Sequence, residues 1–384
     1  MGIAKLGNYI KEYSVRNKMN EEIPVYSVTN TQGFCQDYFG KEVASKDKTT
    51  YKIVPYGCFA YNPSRINVGS VDWQRYEQRV IVSPLYNVFS VSLELDQQYL
   101  YYYLKSDPTL QRIKHVATGS VRDNLKLEML CEFPITIPEI EIQKGIVKRL
   151  DMLQHIITLK KQELNKLSDL VSARFVEMFG DLTNPECLWD KYQLVEVCAN
   201  KDDIKCGPFG TQLNKDEYTE DGIAVWEIPQ INVAFESKPL HFITEKKAEQ
   251  LKAYTIIPGD IAMSRKGNVG KCAVFPREYP QGIIHSDVLR IRVNSQLVHP
   301  IFMMYQFHFS EFVTRQIELV SSGAIMAGVN VTKLKHIYVH VPPLELQTQF
   351  ATFVQAIDKY KLKVKDSLKK LEILQKSLMQ QYFG

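Results

Sequence analysis

Little in this sequence answers to the usual signs of an enzyme or a secreted protein. The seven cysteines, at 35, 58, 131, 187, 198, 206 and 272, include no C-x-x-C pair. That speaks against a disulfide framework or a zinc site and for reduced thiols in a cytoplasm. No run approaches eighteen apolar residues, and the opening MGIAKLGNYIKEY carries no apolar signal core, so neither a membrane span nor an export leader is expected. The eight histidines supply no H-x-x-x-H stretch carrying a carboxylate, which leaves no metal-hydrolase candidate. Gly267-Asn-Val-Gly270-Lys271-Cys272 looks like a piece of a phosphate loop, but the spacing is wrong and Cys272 stands where a Mg²⁺-binding hydroxyl belongs. Tyr61-Asn62-Pro63-Ser64 lacks the second proline and the aromatic of an amino-methyltransferase motif. His285-Ser286-Asp287 contains triad residue types, yet triads are assembled from distant positions, so adjacency argues nothing. No catalytic residue and no metal ligand is expected in this chain.

What is present is a repeat. IPEIEIQ (137–143) returns as VPPLELQ (341–347), 204 positions later. At the same offset IKHVATGS (113–120) meets IELVSSGA (317–324), and Leu164, Leu167 and Leu170 meet Leu368, Leu371 and Leu374. The closing Phe179-Gly180 meets Phe383-Gly384. An ungapped register over this length is an internal duplication. A chain of 384 residues suits two domains. Its net charge of +4 permits a polyanionic partner without arguing for one.

From about Glu139 to Phe179 the only glycine or proline is Gly145. Leu150, Ile157, Leu164, Val171 and Met178 recur every seven residues, joined by Leu153 and Leu167; the second copy offers Phe350, Ile357, Val364, Leu371 and Leu378, with Phe353, Tyr360 and Leu374. Both read as long helices, roughly 55–60 Å, carrying a coiled-coil-like stripe. Two equal stripes are most economically buried against each other as an antiparallel pair related by a pseudo-twofold axis. The remaining sequence holds short β-type runs, such as YKIVPYGCFAY (51–61) and SDVLRIRV (286–293), with one helix-like stretch per half (Gln97–Ile113 and Pro300–Leu319). The expected fold is therefore α+β, with globular domains at 1–137 and 181–341 and helices at 138–180 and 342–384.

The globular halves diverge while the helices stay alike, the pattern of one scaffold presenting two binding surfaces. In the second half KCGPFGTQL (205–213) and MSRKGNVGK (263–271) cluster glycine with basic and small hydrogen-bonding side chains. Glycine lets a backbone approach a ligand closely. Against duplex DNA, Lys205, Arg265, Lys266 and Lys271 would supply charge, while Thr211, Gln212 and Asn268 would read base edges; Phe209 belongs to the same candidate set. In the first half NPSRINVG (62–69) and TGSVRDNLK (118–126) contribute Arg65, Asn67, Arg122, Asn124 and Lys126. SSGAIMAGVNVTK (321–333), the partner of that second loop, contributes Asn330 and Lys333. The alternative stands beside this reading: tight turns whose glycines serve only the backbone, and basic residues that are solvated surface charges.

Two diverged α+β domains, each running through such a loop into I-P-x-I-E-x-Q or V-P-P-L-E-x-Q and then a long helix, resemble the specificity subunit of type I restriction–modification systems. GPFGTQL followed by PGDIAMSRKGNVGK is similar to the opening half of many target-recognition domains in that family, and YKIVPYGCFAYNPSRINVG resembles another common version. The resemblance covers essentially the whole chain. It implies a cytoplasmic, non-catalytic, sequence-specific DNA-binding subunit for phage defence and DNA methylation. Each domain would read half of a bipartite double-stranded DNA target, with the helices as ruler and as docking surface for two methyltransferase subunits. Restriction/translocase subunits would complete the complex. S-adenosylmethionine, ATP and Mg²⁺ would belong to those partners and not to this chain. The first copy begins at about Lys5, matching Lys191, so a helical N-terminal extension found in some members is expected to be absent. Two rivals remain: a specificity-like subunit of another phage-defence or solitary methylation system, and a coiled-coil scaffold that binds no DNA.

Overall fold

The computed structural model describes residues 2–36, 47–117, 124–183, 187–321 and 328–384. These fall into two compact units, Met1–Glu163 with Val364–Gly384, and Leu164–Lys363. In the first unit a four-stranded antiparallel sheet runs in the order Ile10–Glu12, Asn87–Val91, Phe59–Tyr61, Val71–Trp73. In the second the order is Ile204–Cys206, Val288–Ile291, Ile261–Ser264, Cys272–Val274, again antiparallel throughout. The topology is duplicated, although most of these strand residues differ.

The shared pattern within the third strand explains how each sheet is covered. Alternate residues of a strand face opposite sides. Phe59 and Tyr61 join one apolar cluster while Ala60 joins another. Ile261 and Met263 likewise point away from Ala262. Large side chains meet the helices, and the small alanine lets a second sheet come close. That second layer is mixed. In the second unit Gly282–Ile284 pairs parallel to Ile223–Trp226 and antiparallel to Thr255–Ile256. In the first, Lys52–Pro55 pairs antiparallel to Arg79–Val82, and Val25 bridges Ile81 in parallel.

The helical layer corrects one expectation. The stretch of each half expected to form one helix forms two: Gln97–Lys105 then Asp107–Val116, and Pro300–Phe309 then Glu311–Ser321. The break has a local cause. Ser106 is extended, its hydroxyl accepts from Thr109 N, and Pro108 in the new first turn cannot continue a preceding helix. Ser310 is extended in the same way.

A long helix follows each domain, Ile140–Phe179 and Leu344–Phe383, both of 40 residues and thus about 60 Å. The repeated glutamine of IPEIEIQ and VPPLELQ fastens each helix to its domain. Gln143 is fully buried; its Oε1 accepts from Asp96 N at 2.9 Å, and its Nε2 donates to Glu94 O and Pro138 O, both at 2.8 Å. Gln347 does the same with His299 N (2.8 Å), Leu297 O (3.1 Å) and Pro342 O (2.7 Å). In both cases the bonded amide belongs to the residue that caps the first helix of the pair. The repeated Phe-Gly has a physical reason too. Phe383 packs edge-on against Tyr99 at 5.1 Å between centroids, and Phe179 against Phe302 at 4.7 Å. Gly180 then takes a positive φ of 75° and its amide bonds Val176 O, which ends the central helix.

The two helices run antiparallel wherever they meet. In the first unit Arg149 reaches Tyr382, Gln154 meets Gln375, and Lys161 pairs with Glu372 at 3.0 Å. In the second, Phe175 and Phe179 both lie against Phe350. Leu150, Leu153, Ile157, Val171 and Val364 are buried as the heptad pattern predicts. Tyr360 (46% exposed) and Leu374 (48%) are not. A two-helix seam buries one narrow stripe per helix, so a position at its margin stays wet unless a domain covers it.

Candidate nucleic-acid interface

In the second unit the antiparallel sheet brings several loops to one end. The strands Ile204–Cys206 and Ile261–Ser264 finish there, and Cys272–Val274 and Val288–Ile291 begin there. The loops at 207–212, 265–271 and 285–287 therefore share an edge, although they are far apart in sequence. Gly207 makes their approach possible. A Cβ there would lie 2.3 Å from His285 O, too close for any side chain. A fourth segment is latched on by backbone: Val329 N donates to Arg265 O at 3.0 Å, and Lys266 bridges Gly328.

The individual side chains then separate by role. Arg265 lies over the half-exposed ring of Phe209, 4.8 Å from its centroid, and its Nε donates to Val329 O at 3.3 Å. Lys266 is neutralised by Asp287, 2.8 Å from Nζ to Oδ1. Lys205 sits over Tyr254 at 5.3 Å. Gln212 holds its own loop: its Oε1 accepts from Phe209 N at 3.1 Å and from Tyr254 Oη at 3.0 Å. Asn330 caps the short helix Val331–Leu334 by accepting from Lys333 N at 3.0 Å. Thr211, Asn268, Lys271 and Lys333 are exposed. The stretch 267–271 joins two antiparallel strands, whereas a phosphate loop joins a strand to a helix, and Cys272 is a buried strand residue.

The first unit builds the same edge from a set of residues that, apart from a shared Asn-Val-Gly (67–69 and 268–270), is largely different. Leu125 N donates to Pro63 O at 3.1 Å, the counterpart of the Val329–Arg265 latch. Tyr61 Oη donates to Leu125 O at 3.1 Å and accepts from Asn87 Nδ2 at 2.9 Å, so a buried tyrosine fixes the latch from below. Asn62 Oδ1 accepts from Ser64 N and Ser64 Oγ, a local turn that opens the loop carrying Arg65 and Asn67. Asn124 and Lys126 are exposed beside it; Arg122 lies outside the described residues. Sequence reasoning passed over Arg16, which is exposed just beyond the end of the strand Ile10–Glu12. No glycine or motif flags it; only the strand order places it there. It also passed over Asp287 and Tyr254, which are remote in sequence from the side chains they hold.

Among the described residues no three His, Cys, Asp or Glu side chains are gathered as a metal site would require. Nor is any helix among those residues long and apolar enough to cross a membrane. His336 and His340 illustrate the point: His336 is exposed and bonds Gln193 at 2.7 Å, while the ring of His340 is buried against Phe312.

A duplicated α+β domain with basic, glycine-bearing loops at one sheet edge, each copy followed by a long helix, defines the class. The profile of the type I restriction modification DNA specificity domain matches residues 2–169 and again 188–373. The chain belongs to that family and carries two of its recognition domains. The putative type I restriction enzyme MjaX specificity subunit of Methanocaldococcus jannaschii is 26% identical over 150 residues, 38% of this chain and 35% of that protein. The alignment thus spans about a third of the relative's length. A chain from a structural study of complex assembly and conformational transition of the type I R-M system matches over 100% of this chain and 97% of its own, with a TM-score of 0.60 at 16% identity. The S subunit of a type I restriction–modification system from M. genitalium matches over 100% and 96%, with a TM-score of 0.56 at 15% identity. At such identities the likeness establishes fold alone.

Proposed function

We propose that the chain is the DNA-reading subunit of a type I restriction–modification complex and performs no chemistry itself. Residues 1–137 and 181–341 are the two recognition domains, and each reads one half of a bipartite duplex target. The helices at 138–180 and 342–384 set the spacing between half-sites and dock two modification methyltransferase subunits. Restriction/translocase subunits join that assembly, and S-adenosylmethionine, ATP and Mg²⁺ are bound by the partners. The observation that carries the reading is the repeated loop edge. The same backbone latch holds the same strand-end loop in both units, yet outside a shared Asn-Val-Gly (67–69 and 268–270) the side chains displayed there mostly differ. A scaffold kept constant around varied loops suits two different sequences read by one machine.

The test is an exchange of residues 181–341 for another recognition domain, followed by methylome sequencing of cells carrying the complex. One half of the methylated target should change and the other should persist. A change in both halves, or binding to duplex DNA that ignores salt, refutes the reading.

A further inference from the structure

We infer that Arg265 reads a guanine in the half-site assigned to the second unit, with Phe209 as the platform that sets its guanidinium. This rests on that unit's being a DNA-reading domain. Arg265 is held on two sides before any ligand arrives. One face of its guanidinium lies over the Phe209 ring at 4.8 Å, and Nε is occupied by Val329 O at 3.3 Å. Neither terminal nitrogen has a hydrogen-bond partner among the described residues. What remains available is the outer fork of two nitrogens, the geometry that matches O6 and N7 of guanine across the major groove.

The surroundings favour a base over a phosphate. A phosphate accepts from many directions, so a flexible lysine serves it as well as an oriented fork. Exposed Lys271 on the same loop already offers such a charge. Orienting an arginine in advance removes side-chain freedom that binding would otherwise have to freeze, and that matters most where an in-plane pair of bonds must be met. The neighbouring Lys266 does not compete for the base, because Asp287 holds its ammonium at 2.8 Å. Phe209 is 46% exposed, which leaves the stacked pair at the surface, where a base edge can reach the guanidinium.

The experiment uses the full chain in complex with a modification methyltransferase. Methylome sequencing gives the wild-type target, and selection from a duplex library randomised over one half-site gives base preferences for wild type, Arg265→Gln, Arg265→Lys and Phe209→Leu. Arg265→Gln should lower discrimination at a single G·C position by roughly five- to 150-fold, the range of one bidentate base contact, and leave the other half-site intact. Arg265→Lys, which keeps the charge and loses the fork, should do nearly the same. Phe209→Leu should weaken that one preference in the same direction. A probe duplex with 7-deazaguanine at that position, which lacks the N7 acceptor, should weaken wild type and not Arg265→Gln; this arm needs no variant to fold in order to report on wild type. Equal loss of affinity for all duplexes, with a salt slope smaller by about one, would mean a phosphate contact and overturn the inference. An unchanged motif in Arg265→Gln would overturn it as well. A wild-type complex that selects no sequence at all would instead remove the underlying reading, and this inference with it.

Discussion

Replacing Gln347 by alanine should loosen the second unit locally, and the structure says where and by how much. The side chain is fully buried and makes three hydrogen bonds, to His299 N, Leu297 O and Pro342 O. Alanine strands one donor and two acceptors. Leaving a buried backbone group unpaired costs about 1–3 kcal/mol, and water can enter beside a loop, so the sum should be about 2–5 kcal/mol. Gln347→Glu is the sharper variant. It keeps the acceptor for His299 N but puts carboxylate oxygen where Nε2 now donates to two carbonyls, so it should be at least as destabilising as alanine although it is isosteric.

Two-state unfolding is not expected of a chain with two units, so the assay is hydrogen exchange read by mass spectrometry on peptides. Gln347→Ala should deprotect the segment around 297–299 and the start of the helix Leu344–Phe383. Gln143→Ala should deprotect 94–96 and the start of Ile140–Phe179. Each variant is the other's control. Wild-type protection at 297–299 in both Gln347 variants would refute the reasoning, because the repeated glutamine would then be incidental.

Gly207→Ala should abolish sequence selection by the second unit while the first half-site survives, since a Cβ would meet His285 O at 2.3 Å; a methylome showing normal recognition of both halves would contradict this. Phe179→Ala removes a buried ring packed on Phe302 and Phe350 and should cost about 3–5 kcal/mol. Phe383→Ala should cost less, because that ring is only partly buried; exchange on the two helix ends measures the difference. The pKa values of His299 and His340 are both held below the ordinary histidine range, by burial first and then by Arg277 and Lys191 respectively. The unfolded chain therefore binds protons near pH 6.5 that the folded second unit refuses. Stability is present above that pH and lost as pH falls below it. His340→Thr, which installs the residue of the matching position in the first copy, should flatten that slope in thermal unfolding measured between pH 7.5 and pH 5; an unchanged slope would show that His340 does not carry it.

The parts of the fold legible in the sequence are those whose signal is periodic or copied. Heptad spacing announces the two helices, and the repeat aligns IPEIEIQ with VPPLELQ, though nothing in the string says that the glutamine is a clamp. The break at Ser106 is legible in principle, since Ser-Asp-Pro is a helix start. Tyr360 and Leu374 follow the heptad and are nevertheless half exposed, because spacing tells which face is apolar and not how wide the covering surface is. At the candidate interface the glycine-bearing loops were visible, but their convergence depends on strand order. So do the Arg265–Phe209 stack and the neutralisation of Lys266 by Asp287, which join separate loops of the sequence.

That division has a physical logic. What repeats between the copies is what holds backbone: a buried glutamine, a terminal phenylalanine, a latch made of main-chain atoms. A main-chain latch is indifferent to the side chains it positions, so Pro63–Leu125 and Arg265–Val329 fix equivalent loops that share Asn-Val-Gly before the fourth strand but differ around it. The side chains displayed on those loops are then free to vary without disturbing the core, since the alternation in the third strand keeps large residues on the helix side and alanine toward the second sheet in both units. Substitutions on the display side should therefore change what is recognised at little cost in stability. Substitutions of Gln143, Gln347, Ala60 or Ala262 should change stability and impair recognition only through it.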